Sequence, residues 1–322
     1  MLRYVIRRFL MGIPVLLGVS VVVFILTQVA PGDPIRLMVG QAADPETIAN
    51  IREKWGLDKD PLTQYFIFVR DAIKLDFGVS FRNGQPVLDL ILERIPATAY
   101  LGIAAILISI AISIPLGVLS AVHQNTIVDN TSMGLAIVGI SAPVYFTALL
   151  LQWFFGLHLG WFPVSGIGDV RPWEATNIGE LVESLRYLVL PAIVLGYPNA
   201  AMITRLTRSS MLEVIRQDYI MVARAKGLRE RTVIYRHALR NALIPVVTIV
   251  GLQFTLLVGG AVVTETIFNW PGMGRMIIDA LISNRDYAMI RAITLIIAAT
   301  VVFLNIVVDV LYALIDPRIQ YS

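Results

Sequence analysis

The sequence predicts an all-α integral membrane protein with six transmembrane helices, a small extracytoplasmic lobe between helices 1 and 2, and a short cytoplasmic helix between helices 4 and 5. Two compositional features support this class: 57% of the 322 residues are hydrophobic and only 15% are charged, where a soluble domain has about 25% charged residues. The third observation is the distribution of those charges, because Asp, Glu, Lys and Arg are absent from six long stretches: 9–32, 95–122, 130–157, 187–204, 241–264 and 292–308.

Each of these uncharged stretches is long enough to be a membrane span, since about 20 apolar residues cross a ~30 Å hydrocarbon layer. Amphipathic helices of a soluble protein would carry a polar face, which these stretches lack. The first apolar run is too long for a signal peptide and is interpreted as span 1. The predicted organisation is an N-terminus with span 1 (1–32), an extracytoplasmic lobe (33–94) and a core (95–322) with spans at about 97–121, 131–156, 187–204, 242–263 and 291–313.

Basic residues in the loops predict that both termini are cytoplasmic. When the long loop 33–94 is left out, thirteen Lys and Arg residues lie in the segments assigned to the inside and five in those assigned to the outside, as the positive-inside rule requires. A sequence pI near 9.2 therefore reflects topology rather than a nucleic-acid surface. The expected location is the inner (cytoplasmic) membrane, with contact to lipid.

The loop 33–94 is predicted to fold as a lobe with two helices, at about 46–56 and 62–75. Each would follow an Asp-Pro pair, the first residue serving as the N-cap and the proline as the first helical residue. The segment Arg82-Asn83-Gly84-Gln85 is typical of a tight turn, and Val87–Ile95 is predicted to lie at the membrane surface.

The loop 205–240 is the longest predicted cytoplasmic loop. Asp218 is suited to be an N-cap, Tyr219–Lys226 can form two helical turns, and Gly227 is the residue expected just after a helix end. A second helical stretch, Glu230–Leu239, would lead into span 5. On these residues alone, a loop with nine basic residues could equally serve only to set topology and contact anionic lipid.

Five segments of the chain carry recognisable motifs. The loop contains Asp218-Tyr219-Ile220-Met221-Val222-Ala223-Arg224-Ala225-Lys226-Gly227-Leu228 and His237-Ala238-Leu239-Arg240-Asn241-Ala242-Leu243-Ile244-Pro245. The others are Ala30-Pro31-Gly32-Asp33-Pro34, Gly78-Val79-Ser80-Phe81 with Arg94-Ile95-Pro96-Ala97-Thr98, Thr264 to Gly274, and Asp309-Val310-Leu311-Tyr312 with Asp316-Pro317-Arg318. In this order they resemble the permease subunits of ABC importers, and specifically the dipeptide, oligopeptide and nickel branch.

The resemblance implies that the loop is the EAA-type coupling loop that receives motion from an ATPase. The positions that match this motif are Asp218, Tyr219, Ala223, Arg224, Ala225, Lys226, Gly227 and Leu228. The Glu-Ala-Ala of the general motif is replaced here by Met221, Val222 and Ala223, so the general motif's glutamate has no counterpart to which a coupling role could be assigned by analogy. The family also implies a second homologous permease subunit, two cytoplasmic ATPases and an extracytoplasmic solute-binding protein, with peptides, glutathione or nickel complexes as substrates.

The sequence contains no motif that would supply energy for transport. None of the four lysines completes the Gly-x-x-x-x-Gly-Lys motif of a P-loop, and the uncharged stretches lack the ionisable residues that ion-coupled transporters place inside spans. We therefore expect no catalytic residues, no cofactor and no metal in this chain, with ATP and Mg²⁺ bound by partner subunits. The alternative is a passive channel or facilitator, and a third possibility, an intramembrane enzyme, lacks the reactive groups that it would need.

Polar residues within the predicted spans are candidates for a translocation pathway: Ser141, Tyr145, Tyr197, Asn199, Gln253 and Thr255. The same side chains could instead form hydrogen bonds between helices. Asp309 has two interpretations as well, either a buried functional carboxylate or a structural group near the cytoplasmic interface.

Overall fold

The computed structural model describes residues 2–30, 35, 44–54, 56–80, 82 and 84–315, and side chains for all of these except 2–5, 47, 54, 254–260, 283, 284 and 311–315. The described residues are mostly helical, and their strand-like pairing is limited to a bridge between Val79 and Pro86. The helices are α1 (Leu2–Val29), α2 (Pro45–Lys54), α3 (Pro61–Ile73), α4 (Val87–Val122), α5 (Ile127–Ser141), α6 (Val144–Leu151), α7 (Ile178–Ile215), α8 (Asp218–Ala225), α9 (Glu230–Thr232), α10 (Leu239–Ile267), α11 (Met273–Ile278) and α12 (Tyr287–Ile315).

Several of these helices suit a membrane, which confirms the predicted class of a helical membrane protein. Within the described residues, four helices are long and apolar enough to cross a bilayer, or five if a bent pair counts as one span. The predicted span 187–204 lies inside the 38-residue helix α7, which is not among these, so the count of six spans stays a prediction. Residues Val87–Ile95 are the first turns of the continuous helix α4, so this segment leads into predicted span 2 without a break, and its position at the membrane surface stays a prediction.

The uncharged stretch 130–157 forms two helices rather than one straight span. Helices α5 and α6, the latter continued by the π-helical segment Gln152–His158, meet at an angle of 111°. The break lies at Ala142 and Pro143, which both have extended backbone conformations. A proline disfavours helical geometry in the residue before it, so the local sequence Ala-Pro explains why α5 ends there.

Residues 1–98 and 271–322 form one of two compact units. In this first unit α1 packs along α12, and Val23, Ile91 and Ile293 are buried in a shared core. An ion pair between Arg8 Nε and Asp309 Oδ2, 3.1 Å long, joins the two helices. This contact favours the structural interpretation of Asp309.

The lobe in the first unit contains both of the predicted short helices. Asp60 is the N-cap of α3 and accepts hydrogen bonds from the Thr63 amide (3.0 Å) and hydroxyl (2.6 Å), and the hydroxyl contact is the main reason that the pKa of Asp60 lies below its usual value. Gly84 has a φ of +67° in the predicted turn. Contacts of Tyr65 with Phe24 and with the Ser20 hydroxyl, at 2.9 Å, hold the lobe against α1.

Two of the motif segments stabilise the first unit through long-range hydrogen bonds. Ser80 Oγ donates to Asp286 Oδ2 at 2.6 Å, and the other oxygen of Asp286 accepts the Met289 amide of the first turn of α12. The Met273 amide at the start of α11 donates to Thr98 Oγ1 at 2.8 Å. The motif residues Ser80 and Thr98 are therefore buried structural groups.

Residues 99–270 form the second compact unit, in which α7 packs against α5 and α10. Helix α7 also approaches α4 closely at Gly196, where an added Cβ would lie 2.5 Å from the Ala105 carbonyl oxygen. The Ser109 hydroxyl donates to the Gly196 carbonyl at 2.8 Å. Glu265 is fully buried near the end of α10.

Candidate coupling site

Helix α8 is the short helix that the sequence predicted in the loop 205–240. It runs from Asp218 to Ala225, and its N-cap is Gln217 rather than the predicted Asp218. Asp218 lies in the first turn instead, where its negative charge interacts favourably with the helix dipole. The error is one residue, which is the usual uncertainty of a helix boundary.

One face of α8 is anchored in the second unit. Ile220 is fully buried and Ala223, three residues later on the same face, is nearly so. They pack in a cluster with Val118 at the end of α4, Met211 in α7 and Ile234 just after α9. Because residues three apart share a helix face, two side chains are enough to fix α8 against three neighbouring helical segments. Ala223, a predicted coupling residue, therefore anchors the helix from inside.

The carboxyl end of α8 is closed by two backbone hydrogen bonds that form a Schellman motif. The Leu228 amide bonds the Ala223 carbonyl at 3.4 Å and the Gly227 amide bonds the Arg224 carbonyl at 2.9 Å. This geometry requires the left-handed conformation at Gly227, whose φ is +76°. The glycine predicted to follow the helix end is confirmed.

Side-chain contacts brace α8 against the segment that follows it. Arg224 donates from Nε and from a terminal nitrogen to the two oxygens of Glu230, at 3.1 and 2.7 Å. These hydrogen bonds raise the pKa of the Arg224 guanidinium above its usual value. The Tyr219 hydroxyl accepts a hydrogen bond from Asn241 Nδ2 at 2.9 Å, so α8 is also connected to the first turn of α10.

The exposed side of α8 and of the turn that follows it is mostly apolar and includes the basic residue Lys226. Met221 and Val222 are more than half exposed, and Tyr219 and Leu228 are exposed by more than two fifths; Ala225 and Lys226 are exposed as well. Exposed apolar residues grouped together commonly mark protein interaction surfaces. We call this set of six residues the coupling surface.

The chain returns from the coupling surface to α10 through the π-helical segment Val233–Ala238. Its residues Val233, Ile234 and Ala238 are buried in the same cluster as Ile220. A displacement of α8 would therefore act on the start of α10 through packed side chains and through the Asn241–Tyr219 hydrogen bond.

The candidate pathway residues have different environments. Tyr197 donates to the Leu135 carbonyl of α5 at 2.7 Å, and buried Gln253 lies 2.8 Å from Met202 Sδ, so both connect neighbouring helices of the second unit. Asn199 bonds within its own helix, whereas Ser141 and Tyr145 are exposed on either side of the α5–α6 break. The side chain of Thr255 lies outside the described residues.

A buried ion pair in the second unit was not among the predicted site residues. Arg208 of α7 donates from Nε and a terminal nitrogen to the two oxygens of Asp129, at 2.6 and 2.7 Å. Asp129, which is 2% exposed, also accepts hydrogen bonds from the Ser120 hydroxyl and from the Asn125 amide. This arrangement, here called the Asp129 clamp, joins the ends of α4 and α7 to the start of α5. The sequence indicated this pair only through Asp129, whose carboxylate borders the uncharged stretch 130–157.

Two family models together match nearly the whole chain. The model described as "Binding-protein-dependent transport system inner membrane component" matches residues 113–321, and the N-terminal model of the same transport systems matches residues 1–102. The chain is a binding-protein-dependent transport system inner membrane component. Its coupling surface lies within the first of these matches.

Relatives of this inner membrane component are similar over their full length. The dipeptide transport system permease protein DppB of Alkalihalophilus pseudofirmus is 43% identical, with all of both chains covered. The oligopeptide transport system permease protein AppB of Bacillus subtilis is 41% identical and the glutathione transport system permease protein GsiC of Escherichia coli (strain K12) 40% identical, again over all of both chains.

Solved structures support the same fold at low sequence identity. A chain of the MetNI methionine ABC transporter in an inward-facing conformation has a TM-score of 0.57 and 16% identity, with 70% of this component and 96% of that chain covered. A chain of an amino acid ABC transporter crystallised with histidines has a TM-score of 0.53 and 12% identity, with 70% of this component and 93% of that chain covered.

Within the described part of the chain, no group of three His, Cys, Asp or Glu residues is placed to hold a metal ion.

Proposed function

We propose that this inner membrane component forms one half of the translocation pathway of an ATP-driven importer for dipeptides, oligopeptides or a related small solute. The observation that carries the proposal is α8: an anchored, capped short helix with an exposed apolar and basic surface, within a chain of this transport family. The full-length relatives named for dipeptide, oligopeptide and glutathione transport support a peptide-class substrate.

The coupling surface is proposed to lie in a groove of a partner ATPase. An ATPase can bias the pathway only if it binds two conformations of the permease differently. A helix held by Ile220, Gly227 and the Arg224–Glu230 pair would transmit a push to α7 and α10 rather than absorb it by bending. The passive-channel alternative provides no role for this arrangement, and the family membership supports the importer.

The proposed assembly contains this chain, a second homologous permease subunit, two ATPase subunits and a solute-binding protein. ATP and Mg²⁺ would bind to the ATPases, and this chain would have no catalytic residue. The test is to reconstitute the complete assembly into liposomes and to follow uptake of a radiolabelled dipeptide. Uptake should require both ATP and the binding protein; uptake at an equal rate without ATP would indicate a channel.

The proposed orientation places the lobe 33–94 outside the cell and the loop 205–240 inside. The chain has no cysteine, so a single introduced cysteine is its only thiol. Suitable variants are Leu62→Cys in α3 and Arg231→Cys in α9, because both positions are exposed. An impermeant thiol reagent should label only position 62 in intact cells, and both positions after permeabilisation. Labelling of position 231 alone in intact cells would reverse the proposed topology.

Substrate affinity is expected to belong to the external binding protein. The candidate pathway side chains are all neutral, and neutral groups cannot hold a zwitterionic peptide tightly against the cost of removing its charges from water. Calorimetry with a peptide known to be transported should detect no binding to the purified permease–ATPase complex without the binding protein. Binding at micromolar or lower concentration in that complex would instead locate a specificity site within the membrane.

A further inference from the structure

Arg291 lies one turn inside the apolar helix α12 of the first unit. Its Nε donates to Thr27 Oγ1 at 2.6 Å, and its guanidinium carbon lies 4.9 Å from the ring centre of Phe24 and 5.6 Å from that of Phe68. Among the described residues, no carboxylate pairs with this cation. A charge in such a position is costly unless it meets an opposite charge. Within the described part of the chain, the two terminal nitrogens of the guanidinium have no hydrogen-bond partner.

A cavity of about 560 Å³ opens beside Arg291, between the lobe, the end of α1 and the start of α12. Its lining is polar and charged, with the amides Gln28 and Gln64, the cations Lys59, Arg70 and Arg291, and the carboxylates Glu53, Asp71 and Asp76. Arg70 forms an ion pair with Asp71 at 2.8 Å, and Lys59 is exposed. Arg291 is partly buried and has no ionic partner among the described residues.

A second cavity of about 530 Å³ adjoins the first and is almost entirely apolar. The two cavities share Thr27, Ala30 and Tyr287. The apolar one follows a single face of α1 from Val15 to Leu26, a length of about 16 Å at 1.5 Å per residue. That is about half of a ~30 Å hydrocarbon layer, or one leaflet.

We propose that the two cavities together bind one phospholipid, with its phosphate against Arg291 and an acyl chain in the groove along α1. A guanidinium fork matches the oxygens of a phosphate, and the adjoining groove suits the hydrocarbon of the same molecule. A free phosphate or a peptide carboxylate would satisfy the cation but leave the groove unexplained. The inference rests on the first unit alone and does not depend on the proposed coupling role of α8.

Two substitutions test the two ends of the site. Arg291→Gln removes the charge that faces the headgroup, and Gly18→Leu places a side chain where an added Cβ has no neighbour within 4 Å, on the groove wall. The matched controls are Arg82→Gln, an exposed arginine outside both cavities, and Gly134→Leu, an exposed helical glycine of the second unit that also has open space.

The measurement is native mass spectrometry of the complete complex purified in mild detergent, followed by titration of the delipidated complex with phosphatidylglycerol and with diacylglycerol. The wild-type complex should retain a phospholipid and prefer phosphatidylglycerol. Arg291→Gln should weaken phosphatidylglycerol binding by about tenfold, as expected for loss of a charge-assisted contact, and leave diacylglycerol binding unchanged. Gly18→Leu should weaken both lipids, and neither control should change either.

Several results would overturn the proposal. These are a wild-type complex that retains no phospholipid, equal phosphatidylglycerol affinity in Arg291→Gln, and displacement of the lipid by inorganic phosphate or a dipeptide. Efficient cross-linking of Val22→Cys to the second permease subunit would also do so, because the groove would then be covered by protein. If Arg291→Gln does not fold, normal lipid binding by a folded Gly18→Leu variant is enough to reject the site.

Discussion

A Gly227→Val variant is expected to insert into the membrane normally and to lose transport. Gly227 has a φ of +76°, and an added Cβ would meet no atom within 4 Å, so the effect would come from backbone strain rather than from a clash. The left-handed conformation costs an ordinary L-residue roughly 1–2 kcal/mol, and it is a genuine outlier for a β-branched residue. The chain would leave this conformation and break the Schellman hydrogen bonds at Leu228 and Gly227, which would misdirect α8.

The matched control is Gly227→Asn, because asparagine tolerates the left-handed region better than other residues with a side chain. Both variants would be assembled with the partner subunits in liposomes, and ATP-dependent peptide uptake and the amount of bound ATPase would be measured. We expect near-normal uptake for Gly227→Asn and almost none for Gly227→Val. Normal uptake by Gly227→Val with ATPases bound would refute the coupling role proposed for α8.

An Arg208→Met variant is expected to have the largest effect on stability. It removes the guanidinium that neutralises Asp129, which is 2% exposed, while the Ser120 and Asn125 hydrogen bonds remain. Breaking a buried ion pair by removing one partner costs about 3–5 kcal/mol, because the other charge is left buried and uncompensated. The yield of folded protein and its thermal midpoint in detergent should both fall sharply.

Arg224→Met is the control for this prediction, because it breaks an equally well-formed pair with Glu230 whose two side chains are 40% and 58% exposed. Exposed pairs contribute about 0–1 kcal/mol, so its midpoint should barely change. The double variant Asp129→Asn/Arg208→Met should recover much of the loss, since it leaves no buried charge. Equal midpoints for Arg208→Met and Arg224→Met would show that the Asp129 clamp does not stabilise the fold.

Prediction from sequence succeeded where local chemistry sets the structure. Uncharged stretches of the right length located the apolar helices α1, α4, α10 and α12, because the cost of a buried charge acts residue by residue. Asp60 before α3 and Gly227 after α8 were recognisable because caps depend on one side chain and one backbone conformation. The family resemblance located α8 within the chain, although its N-cap was misplaced by one residue.

The bend between α5 and α6 could be predicted from the sequence only in part. Pro143 was visible in the sequence, and a proline in a helix can kink it. Membrane helices also tolerate prolines because neighbouring groups satisfy the freed backbone, and α7 continues through Pro191 and Pro198. The sequence alone therefore could not distinguish a tolerated proline from a break of 111°.

By itself, the sequence determined the helical membrane class, the transport family and the position of the loop that carries α8. Only the tertiary structure decided which side chains of that loop are buried and which are exposed. It also showed that Asp129 pairs with Arg208, 79 residues away, and that two cavities lie beside Arg291. The physical reason is distance along the chain. Helix caps and membrane spans are set by neighbouring residues, whereas ion pairs and cavities depend on which helices pack together, and that information is spread over the whole fold.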